Sequence, residues 1–426
     1  MSQTLNISTP LKPAAGPAAK PTRTRRDRIG RDFLLLWSGQ TVSKIGNGAY
    51  KVALAWSVYQ IAGSTADMGL VLAVNLVPEL ALVLFGGAVA DRLSRRAVVI
   101  AADGAAGLVT LGLALAAAGR GLTVPMLLAA AFLLGVTSAF YGPAYAAMKG
   151  DLVGAAGARA ANAWIGVSGN LARILGPAIA GVAFAFGGAG VVFAVDTATF
   201  AYAVVSTLLI RTRVPRAAEP EQAGFRREVA EGVTYTVKTG WLMLLLAVSL
   251  IANFACLAPY AVLLPAIVEG HGGGVGLLGL LNAAEIAAGI AGAVVIGRLG
   301  SRLPAGIAML VLAALLGAGT LALGLSGGRP AALFAGVLLI GAGLSFDVIE
   351  QTLMQALVPR RLLSRVYAVN TAASYSLLPA GYALSGLAAR QAGPAPVLAL
   401  GGAVLAAACL LAAPLPAVRR MNRADC

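Results

Sequence analysis

Charged side chains recur inside the long apolar stretches of this sequence. They are Lys44, Lys51, Glu79, Arg173, Asp196, Glu285, Asp347 and Glu350. A charge near the centre of a lipid bilayer costs at least about 2.5–3.5 kcal/mol, so a charge that persists there is a functional candidate. Carboxylates in such surroundings can take up and release protons. These residue types and their placement therefore predict proton or ligand chemistry within a membrane.

Asp347 and Glu350 are the clearest candidates for proton chemistry. They lie three residues apart and face one way on a helix, so two desolvated charges would repel each other and one carboxyl group could hold a proton. We expect the coupling proton on Asp347 first and on Glu79 second, with Glu285 and Glu350 as further candidates. The alternative for Glu350 is a position near the cytoplasm, where it would simply be solvated.

Glu79 is also placed to meet a basic partner. It lies at a similar depth to Lys44 on the neighbouring stretch, which predicts either a functional buried pair or plain structural neutralisation. Asp196 is expected on an outer helix, where its role would be packing. Glu269 and His271 fall in a predicted external loop, where a lone histidine usually faces solvent.

The elements that carry these charges have the length and composition of membrane spans. The chain is 59% hydrophobic and 12% charged over its 426 residues. Roughly 20 apolar residues cross a hydrocarbon core of about 30 Å. We therefore predict an all-α polytopic membrane protein with twelve transmembrane helices. The spans are expected near 33–60, 68–90, 97–118, 124–148, 162–186, 189–210, 241–268, 275–298, 304–326, 331–357, 363–390 and 394–417.

The basic residues predict how the spans are oriented. Of the 32 Lys and Arg residues, 26 fall in tails and loops on the N-terminal side, 3 in loops on the other side and 3 inside spans. Short loops rich in Lys and Arg stay in the cytoplasm. We therefore expect a multi-pass protein of the cell (inner) membrane with both termini cytoplasmic. This asymmetry accounts for the net charge of +15, so nucleic acid is not an expected partner.

The segment 211–240 is the one long hydrophilic interruption and divides the chain in two. Its apolar residues recur every four positions, and Arg227 and Glu231 are placed to pair on another face, which predicts an amphipathic helix along the cytoplasmic interface. The apolar residues are Phe225, Val229, Val233 and Val237. We predict a disordered basic tail over 1–32, a six-helix bundle over 33–210, this linker, a second six-helix bundle over 241–418 and a tail over 419–426. A shift of 205 residues aligns the halves weakly, as expected of a duplicated bundle.

A tight cluster of acidic and basic residues follows the second span. It runs Gly86-Gly87-Ala88-Val89-Ala90-Asp91-Arg92-Leu93-Ser94-Arg95-Arg96. The run resembles the loop signature of the major facilitator superfamily, Gly-x-x-x-Asp-Arg-x-Gly-Arg-Arg, with Ser94 in place of the usual Gly. We interpret Gly87, Asp91, Arg92, Arg95 and Arg96 as a gating latch, in which the acid meets a helix N-terminus and the arginines meet acids or lipid phosphates. The alternative is the ordinary positive charge of a cytoplasmic loop.

The fifth span contains a Gly-Pro step. Its residues Arg173-Ile174-Leu175-Gly176-Pro177-Ala178-Ile179-Ala180-Gly181 are similar to the Gly-Pro-x-x-Gly-Gly signature of proton-coupled drug antiporters. Ala180 stands in place of the first Gly of the final pair. Such a step removes a backbone hydrogen bond and kinks the helix. We interpret Gly176, Pro177 and Gly181 as a gating pivot, or else as a structural kink without antiport meaning.

Along its whole length the chain resembles the twelve-helix drug, macrolide and siderophore exporters of the major facilitator superfamily. The helix count, the central linker, the two motifs and the phrase Phe140-Tyr141-Gly142-Pro143-Ala144-Tyr145 carry this resemblance. It implies a monomeric exporter of small amphipathic molecules that works by alternating access in exchange for protons, with antibiotic resistance as one outcome. The chain departs from this branch in two ways. Its fourth span has no Arg, and Asn47 stands where many relatives carry the Asp of a proton site.

The resemblance also implies which side chains meet the transported molecule. In this superfamily the first, fourth, seventh and tenth spans line a central cavity. The implied substrate contacts are Lys44, Asn47, Lys51, Tyr141, Tyr145, Asn253, Tyr260 and Asp347, mixed with apolar wall. The implied proton-coupling residues are Asp347, Glu79, Glu285 and Glu350.

The sequence argues against an enzyme. One histidine and three cysteines supply no metal-ligand or catalytic constellation, and no Gly-x-x-x-x-Gly-Lys-Ser/Thr loop is present to bind a nucleotide. We therefore expect no cofactor and no metal, and as partners a small-molecule substrate, protons and the lipid bilayer. Import, or flipping of a lysolipid on the same fold, stays open as the alternative to export.

Overall fold

The computed structural model describes residues 30–211, 225–299, 304–359 and 361–422, and every regular element in these ranges is helical. Most of the predicted basic tail and the acidic and basic part of the linker lie outside these ranges. So do the side chains of Asp91 and Arg92, although both residues belong to a described helix.

Four helices form the first half of the chain. They are α1 (Arg31–Ala62), α2 (Thr65–Arg92), α3 (Arg95–Ala118) and α4 (Val124–Leu208). The 85-residue α4 leaves helical geometry at Gly154, Gly187 and Gly188. Gly154 and Gly188 have φ of 63° and 68°, which only glycine adopts freely. These breaks divide α4 into segments 124–153, 155–186 and 189–208, each long enough to cross a bilayer.

The second half contains eleven helices and one π-helical turn among the described residues. They are α5 (Phe225–Lys238), α6 (Gly240–Ile251), the π-helix Ala252–Leu257, α7 (Ala258–Gly270), α8 (Val275–Leu299), α9 (Ala305–Leu325), α10 (Pro330–Gly343), α11 (Phe346–Leu357), α12 (Leu363–Ser376), α13 (Leu378–Ala392), α14 (Pro394–Ala412) and α15 (Pro416–Asn422). Nine helices of the described ranges are long and apolar enough to cross a membrane, and one of them, Ala160–Leu208, is long enough to do so twice. Together with α1 and the pair α12 and α13, this is consistent with the twelve predicted spans.

The helix ends define two sides of the bundle. The terminal side has the two described chain ends, the break at Gly154 and these helix ends: Arg92, Arg95, Leu208, Gly240, Leu299, Ala305, Leu357 and Leu363. The far side has the turns at 63–64, 119–123, 187–188, 271–274, 326–329 and 393. The positive-inside argument therefore applies to the terminal side.

Three spans of the second half are interrupted where sequence periodicity predicts continuous helices. The π-helix sits between α6 and α7, where the Asn253 amide donates to the Ser249 carbonyl (2.9 Å) and competes with the backbone for it. α10 and α11 are separated at Leu344 and Ser345, and α12 and α13 at Leu377. Pro379 explains the last break, since it has no N–H to continue the helical hydrogen bonding. The predicted ends of these spans were close, but the breaks inside them were missed.

The linker helix α5 exposes the two described valines of its predicted apolar stripe. Val233 and Val237 are exposed, and Gly232 packs against the backbone of Arg365 in α12. Glu231 forms an ion pair with Arg365, while the side chain of its predicted partner Arg227 lies outside the described part. An exposed valine stripe fits a helix that rests in a lipid interface.

Neighbouring glycines in the loop motif offer a matched test of packing. A Cβ on Gly86 would clash with the carbonyl oxygen of Ala139 in α4, whereas a Cβ on Gly87 meets open space. Gly86→Ala should therefore lower the free energy of unfolding by about 1–3 kcal/mol. Gly87→Ala should leave it unchanged or raise it by up to about 1 kcal/mol, because Ala favours helix. Thermal unfolding of the two purified variants in detergent checks this difference, and equal melting temperatures would contradict the packing.

Candidate functional site

The two halves meet closely on the far side. Thr65 Oγ1 at the start of α2 donates to the carbonyl of Gly386 in α13 (3.0 Å). The absence of side chains on Gly69 and Gly386 lets the two helices touch, since a Cβ on either would clash with the carbonyl of Tyr382 or Thr65. Close backbone approach through small residues is how helices pack in membranes. This contact seals one edge of the far side.

The Gly-Pro step lies at a second contact between the halves. On one side of the middle segment of α4, a Cβ on Gly176 would stand 2.7 Å from the Cα of Gly48 in α1. On its other side, a Cβ on Gly279 in α8 would approach the carbonyl of Pro177 (3.0 Å), and one on Gly181 would contact Gly276 (3.8 Å). The predicted pivot is therefore placed between its own bundle and the opposite half.

An ion pair crosses the boundary next to this contact. Arg173 Nη2 in α4 lies 3.8 Å from Glu285 Oε1 in α8. The Tyr260 hydroxyl of α7 donates to Glu285 Oε2 (3.2 Å). The Arg173 side chain is 55% exposed and that of Glu285 only 11%. An ionised carboxylate this deep needs a nearby positive charge, and Arg173 supplies it from the other half.

Exposed charged side chains lie near the boundary between the two halves. Arg173 and Asp347 are both exposed although they lie deep in the bundle, on the terminal side of the sealed contacts. Because the contacts between the halves lie beyond them on the far side, we infer that water reaches them through a cavity between the halves that opens toward the terminal side. Arg173 also interacts electrostatically with Asp347, so the acidic wall of the second half faces a basic residue of the first.

Glu350 is held in a buried polar cluster behind Asp347. Ser249 Oγ of α6 donates to Glu350 Oε2 (2.9 Å), and Asn370 Nδ2 of α12 donates to Glu350 Oε1 (2.6 Å). Glu350 is 9% exposed. It interacts electrostatically with Asp347, three residues earlier. The two acids are thus neighbours, as predicted, but one faces the cavity and the other is enclosed. The alternative of a simply solvated Glu350 is wrong, because two side chains and their helices cover it.

The first half contributes a chain of polar contacts that ends at Lys44. Gln40 Nε2 donates to Asp103 Oδ2 (2.7 Å), and the Tyr141 hydroxyl donates to Gln40 Oε1 (2.6 Å). Tyr141 stacks on Tyr145 with ring centroids 5.4 Å apart. Lys44 Nζ lies 5.3 Å from the Tyr145 centroid, a cation–π distance. The chain links α3, α1 and α4 from the protein core to the cavity wall.

The predicted pair of Lys44 and Glu79 is not formed. Lys44 turns toward Tyr145. The basic residue that acts electrostatically on Glu79 is Lys51, which lies about two helical turns further along α1. Similar depth on adjacent helices did not determine the pairing, because the rotation of each helix about its own axis sets which side chains meet. Lys51 is exposed and Glu79 is half-buried.

Asp196 is fully enclosed where the last segment of α4 packs on α1. Thr199 Oγ1 donates to Asp196 Oδ1 (3.3 Å), and Gly46 leaves room for this carboxyl group. Asp196 Oδ2 and the nearby Tyr50 hydroxyl are buried and have no hydrogen-bond partner among the described residues. Gly46 and Gly48 are both packed against α4, and Asn47 between them is half-buried.

The arginines of the loop motif bind within their own half. Arg95 pairs with Asp151 at the end of the first segment of α4. Arg96 donates through Nε to the Thr207 carbonyl (3.2 Å) and through Nη2 to the Leu208 carbonyl (2.5 Å) at the C-terminus of α4. Cations favour this end of a helix. The motif thus ties three helix ends together on the terminal side, and its Asp91 and Arg92 side chains lie beyond the described part.

Sequence reasoning named most of these groups without their partners. Tyr260, Glu285, Asp347 and Glu350 converge near the boundary, and Lys44, Tyr141 and Tyr145 converge in the first half. Asn253 is used within the π-helix, where its amide binds its own backbone. Gln40, Asp103, Ser249 and Asn370 were missed. The available signal was a polar residue inside an apolar span, which applies to uncharged residues as well as charged ones.

The sequence matches the family model described as transmembrane secretion effector over residues 29–426. Among curated proteins, none matches it significantly.

Solved structures of transporters share the fold at low identity. The nucleoside transporter NupG superposes with a TM-score of 0.71 and 11% identity, over 92% of this chain and 99% of that one. A POT family transporter in complex with a thioalcohol-conjugated peptide gives 0.68 and 13%, over 89% and 95%. A bacterial homologue of the human lysosomal transporter Spinster, solved inward-facing and unoccupied, gives 0.63 and 14%, over 92% and 96%. The predicted all-α polytopic fold class is confirmed.

Proposed function

Because the chain belongs to the transmembrane secretion effector family of the major facilitator superfamily, we propose that it exports small amphipathic molecules across the cell membrane by alternating access, in exchange for protons. The terminal side then faces the cytoplasm, in agreement with its Lys and Arg content. The conformation described above is inward-facing, with its cavity open to the cytoplasm and its far side closed.

The ion pair between Arg173 and Glu285 carries this proposal. It joins the two halves where they separate in an outward-facing state, so its strength depends on the charge of a carboxyl group. Protonation of Glu285 removes the attraction and favours opening, and loss of the proton favours closure. A charge-dependent contact between moving bodies is what proton coupling requires.

The acids behind Arg173 provide the route for the proton. Asp347 meets cavity water and Glu350 lies beside it among hydrogen-bond donors. The sequence favours Asp347 as the proton site, but because Glu350 is the enclosed member of the pair, we assign Glu350 as the carboxyl group that holds the coupling proton. Asp347 is then the group that exchanges the proton with the cavity and meets the substrate. Glu79 and Glu285 are the other candidates. One proton crossing 100 mV supplies about 2.3 kcal/mol, enough for a concentration ratio above tenfold.

Transport assays test the proposal directly. Expression in cells stripped of efflux pumps should lower the accumulation of at least one dye in a panel of fluorescent amphiphiles that includes ethidium and Hoechst 33342. The purified protein in liposomes should then move that dye toward the acidic compartment, and nigericin, which dissipates the pH gradient, should stop the accumulation. Raised accumulation in cells would favour import instead. Transport that ignores the pH gradient would exclude proton exchange.

A further inference from the structure

Two opposite charges on the walls of the cavity have no ion-pair partner among the described residues. Within the described ranges, no Asp or Glu oxygen lies within 4 Å of Lys44 Nζ, which rests on the Tyr145 ring instead. Likewise, no Lys or Arg nitrogen of the described residues lies within 4 Å of the Asp347 carboxylate. Lys44 belongs to the first half and Asp347 to the second. The cavity therefore has a positive wall and a negative wall.

Both charges lie at comparable depth. Lys44 is 13 residues from Arg31 at the terminal-side end of α1, which is about 20 Å along the helix. Asp347 is 10 residues from Leu357 at the terminal-side end of α11, or about 15 Å. Similar depth on opposite halves is what a ligand that bridges the two groups requires.

The other charged groups near the boundary are buried or already have partners. Two acids of the first half, Asp103 and Asp196, are buried at 3% and 0% exposure, and a third, Glu79, has Lys51 as its basic neighbour. Glu285 is engaged by Arg173 and Tyr260. Arg173 also acts on Asp347, but its ion pair is with Glu285. The charges left for a ligand are therefore the ammonium group of Lys44 and the carboxylate of Asp347.

Desolvated charges inside a membrane protein are normally paired, so these two groups need counter-charges when substrate displaces water. A purely cationic ligand would leave Lys44 unpaired, and a purely anionic one would leave Asp347 unpaired. A molecule with both charges satisfies both walls at once. The stacked rings of Tyr141 and Tyr145 beside Lys44 add an aromatic surface.

We propose that the substrate is a zwitterion whose anionic group binds Lys44, whose cationic group binds Asp347 and whose apolar body packs on Tyr145. This inference rests on the proposed function, because it takes the cavity as the transport site. It adds the chemical class of the cargo, which neither the family nor the fold specifies.

Three probes that share one body test the charge requirement. They are an alanine-lysine-alanine tripeptide with a dansyl group on the lysine Nε and both ends free, its N-acetyl form and its C-terminal amide form. The free ends lie up to about 10 Å apart. The full chain in detergent should bind the zwitterion at least about tenfold more tightly than the anionic or cationic form, as measured by dansyl fluorescence.

The variants assign each charge to its wall. Lys44→Gln should weaken the zwitterion and the N-acetyl form at least about tenfold and leave the amide form within about twofold. Asp347→Asn should weaken the zwitterion and the amide form and spare the N-acetyl form. As matched controls, Arg329→Gln and Asp67→Asn, both on the far side, should change no affinity beyond about twofold. Thermal unfolding establishes that every variant is folded.

Equal binding of the three probes, tighter binding of a singly charged form, or no binding of any of them overturns the inference. So does a Lys44→Gln variant that loses both anionic and cationic probes equally. These results are separable from the transport assay. If the protein exports dye but binds the three probes equally, only the zwitterion inference is overturned. If it binds the zwitterion preferentially but transports no compound, the proposed export function is overturned.

Discussion

Replacing Arg173 with Gln is expected to reduce transport at least about tenfold while the protein still inserts and folds. Arg173 is the basic side chain that reaches from the first half to Glu285, and it also acts on Asp347. Without it the far side loses its charge-dependent closure, and Glu285 loses its counter-charge. Both pH-driven transport and exchange of labelled for unlabelled substrate should fall in liposomes, because both require the far side to close.

Two further variants separate charge from shape. Arg173→Lys keeps the positive charge but not the planar donor group, so partial activity is expected. The exchanged pair, Arg173→Glu with Glu285→Arg, should recover part of the transport that either single change abolishes, because it restores an ion pair across the same boundary. Full activity of Arg173→Gln, or no recovery in the exchanged pair from inactive single variants, would show that the contact has no part in gating.

How far the sequence predicted this molecule depends on the kind of feature. The spans follow from run length alone, because a bilayer of fixed thickness requires helices of fixed length. The Gly-Pro step predicts a pivot from the sequence alone. In the structure, Gly176 packs on α1 and Pro177 packs on α8, which is a suitable place for one. Whether it acts as one stays a prediction. The boundary between bundles was indicated by the one hydrophilic interruption.

Side-chain partners were predicted less well, for a physical reason. A span that is apolar all round gives little indication of how it is rotated, so the sequence placed Lys44 at the depth of Glu79 without showing that Lys44 faces Tyr145. Asp103 could be found as a charge inside the predicted span 97–118, but its partner Gln40 could not, because Gln40 comes from a helix 63 residues away in sequence. The π-helix could not be predicted for a similar reason. An additional residue in a turn rotates the helix that follows, and a span that is apolar all round shows no sign of that rotation in its hydrophobic pattern.

Glu350→Gln is expected to abolish pH-driven transport while leaving exchange of labelled for unlabelled substrate at least half as fast as in the original protein. Exchange needs binding and alternation but no net proton movement, whereas pH-driven transport needs a carboxyl group that gains and loses a proton. Gln fits the same cluster, because the buried Asn370 amide oxygen has no hydrogen-bond partner among the described residues and the amide can turn this oxygen toward the new amide group. The Ser249 hydroxyl still donates to the other atom.

The controls distinguish a lost proton from lost structure. Asn370→Ala removes one donor to Glu350 but keeps the carboxyl group, so it should shift the pH at which transport is half-maximal rather than eliminate the pH dependence. Glu79→Gln and Glu285→Gln, assayed in parallel, show whether the proton resides elsewhere. If pH-driven transport survives in every single neutralisation of Glu79, Glu285, Asp347 and Glu350, no one of these carboxyl groups is required for coupling. Facilitated diffusion or another coupling ion would then be the better mechanism. A carboxyl group that alone carries the coupling proton cannot be replaced by Asn or Gln, because an amide does not gain and lose a proton in this pH range.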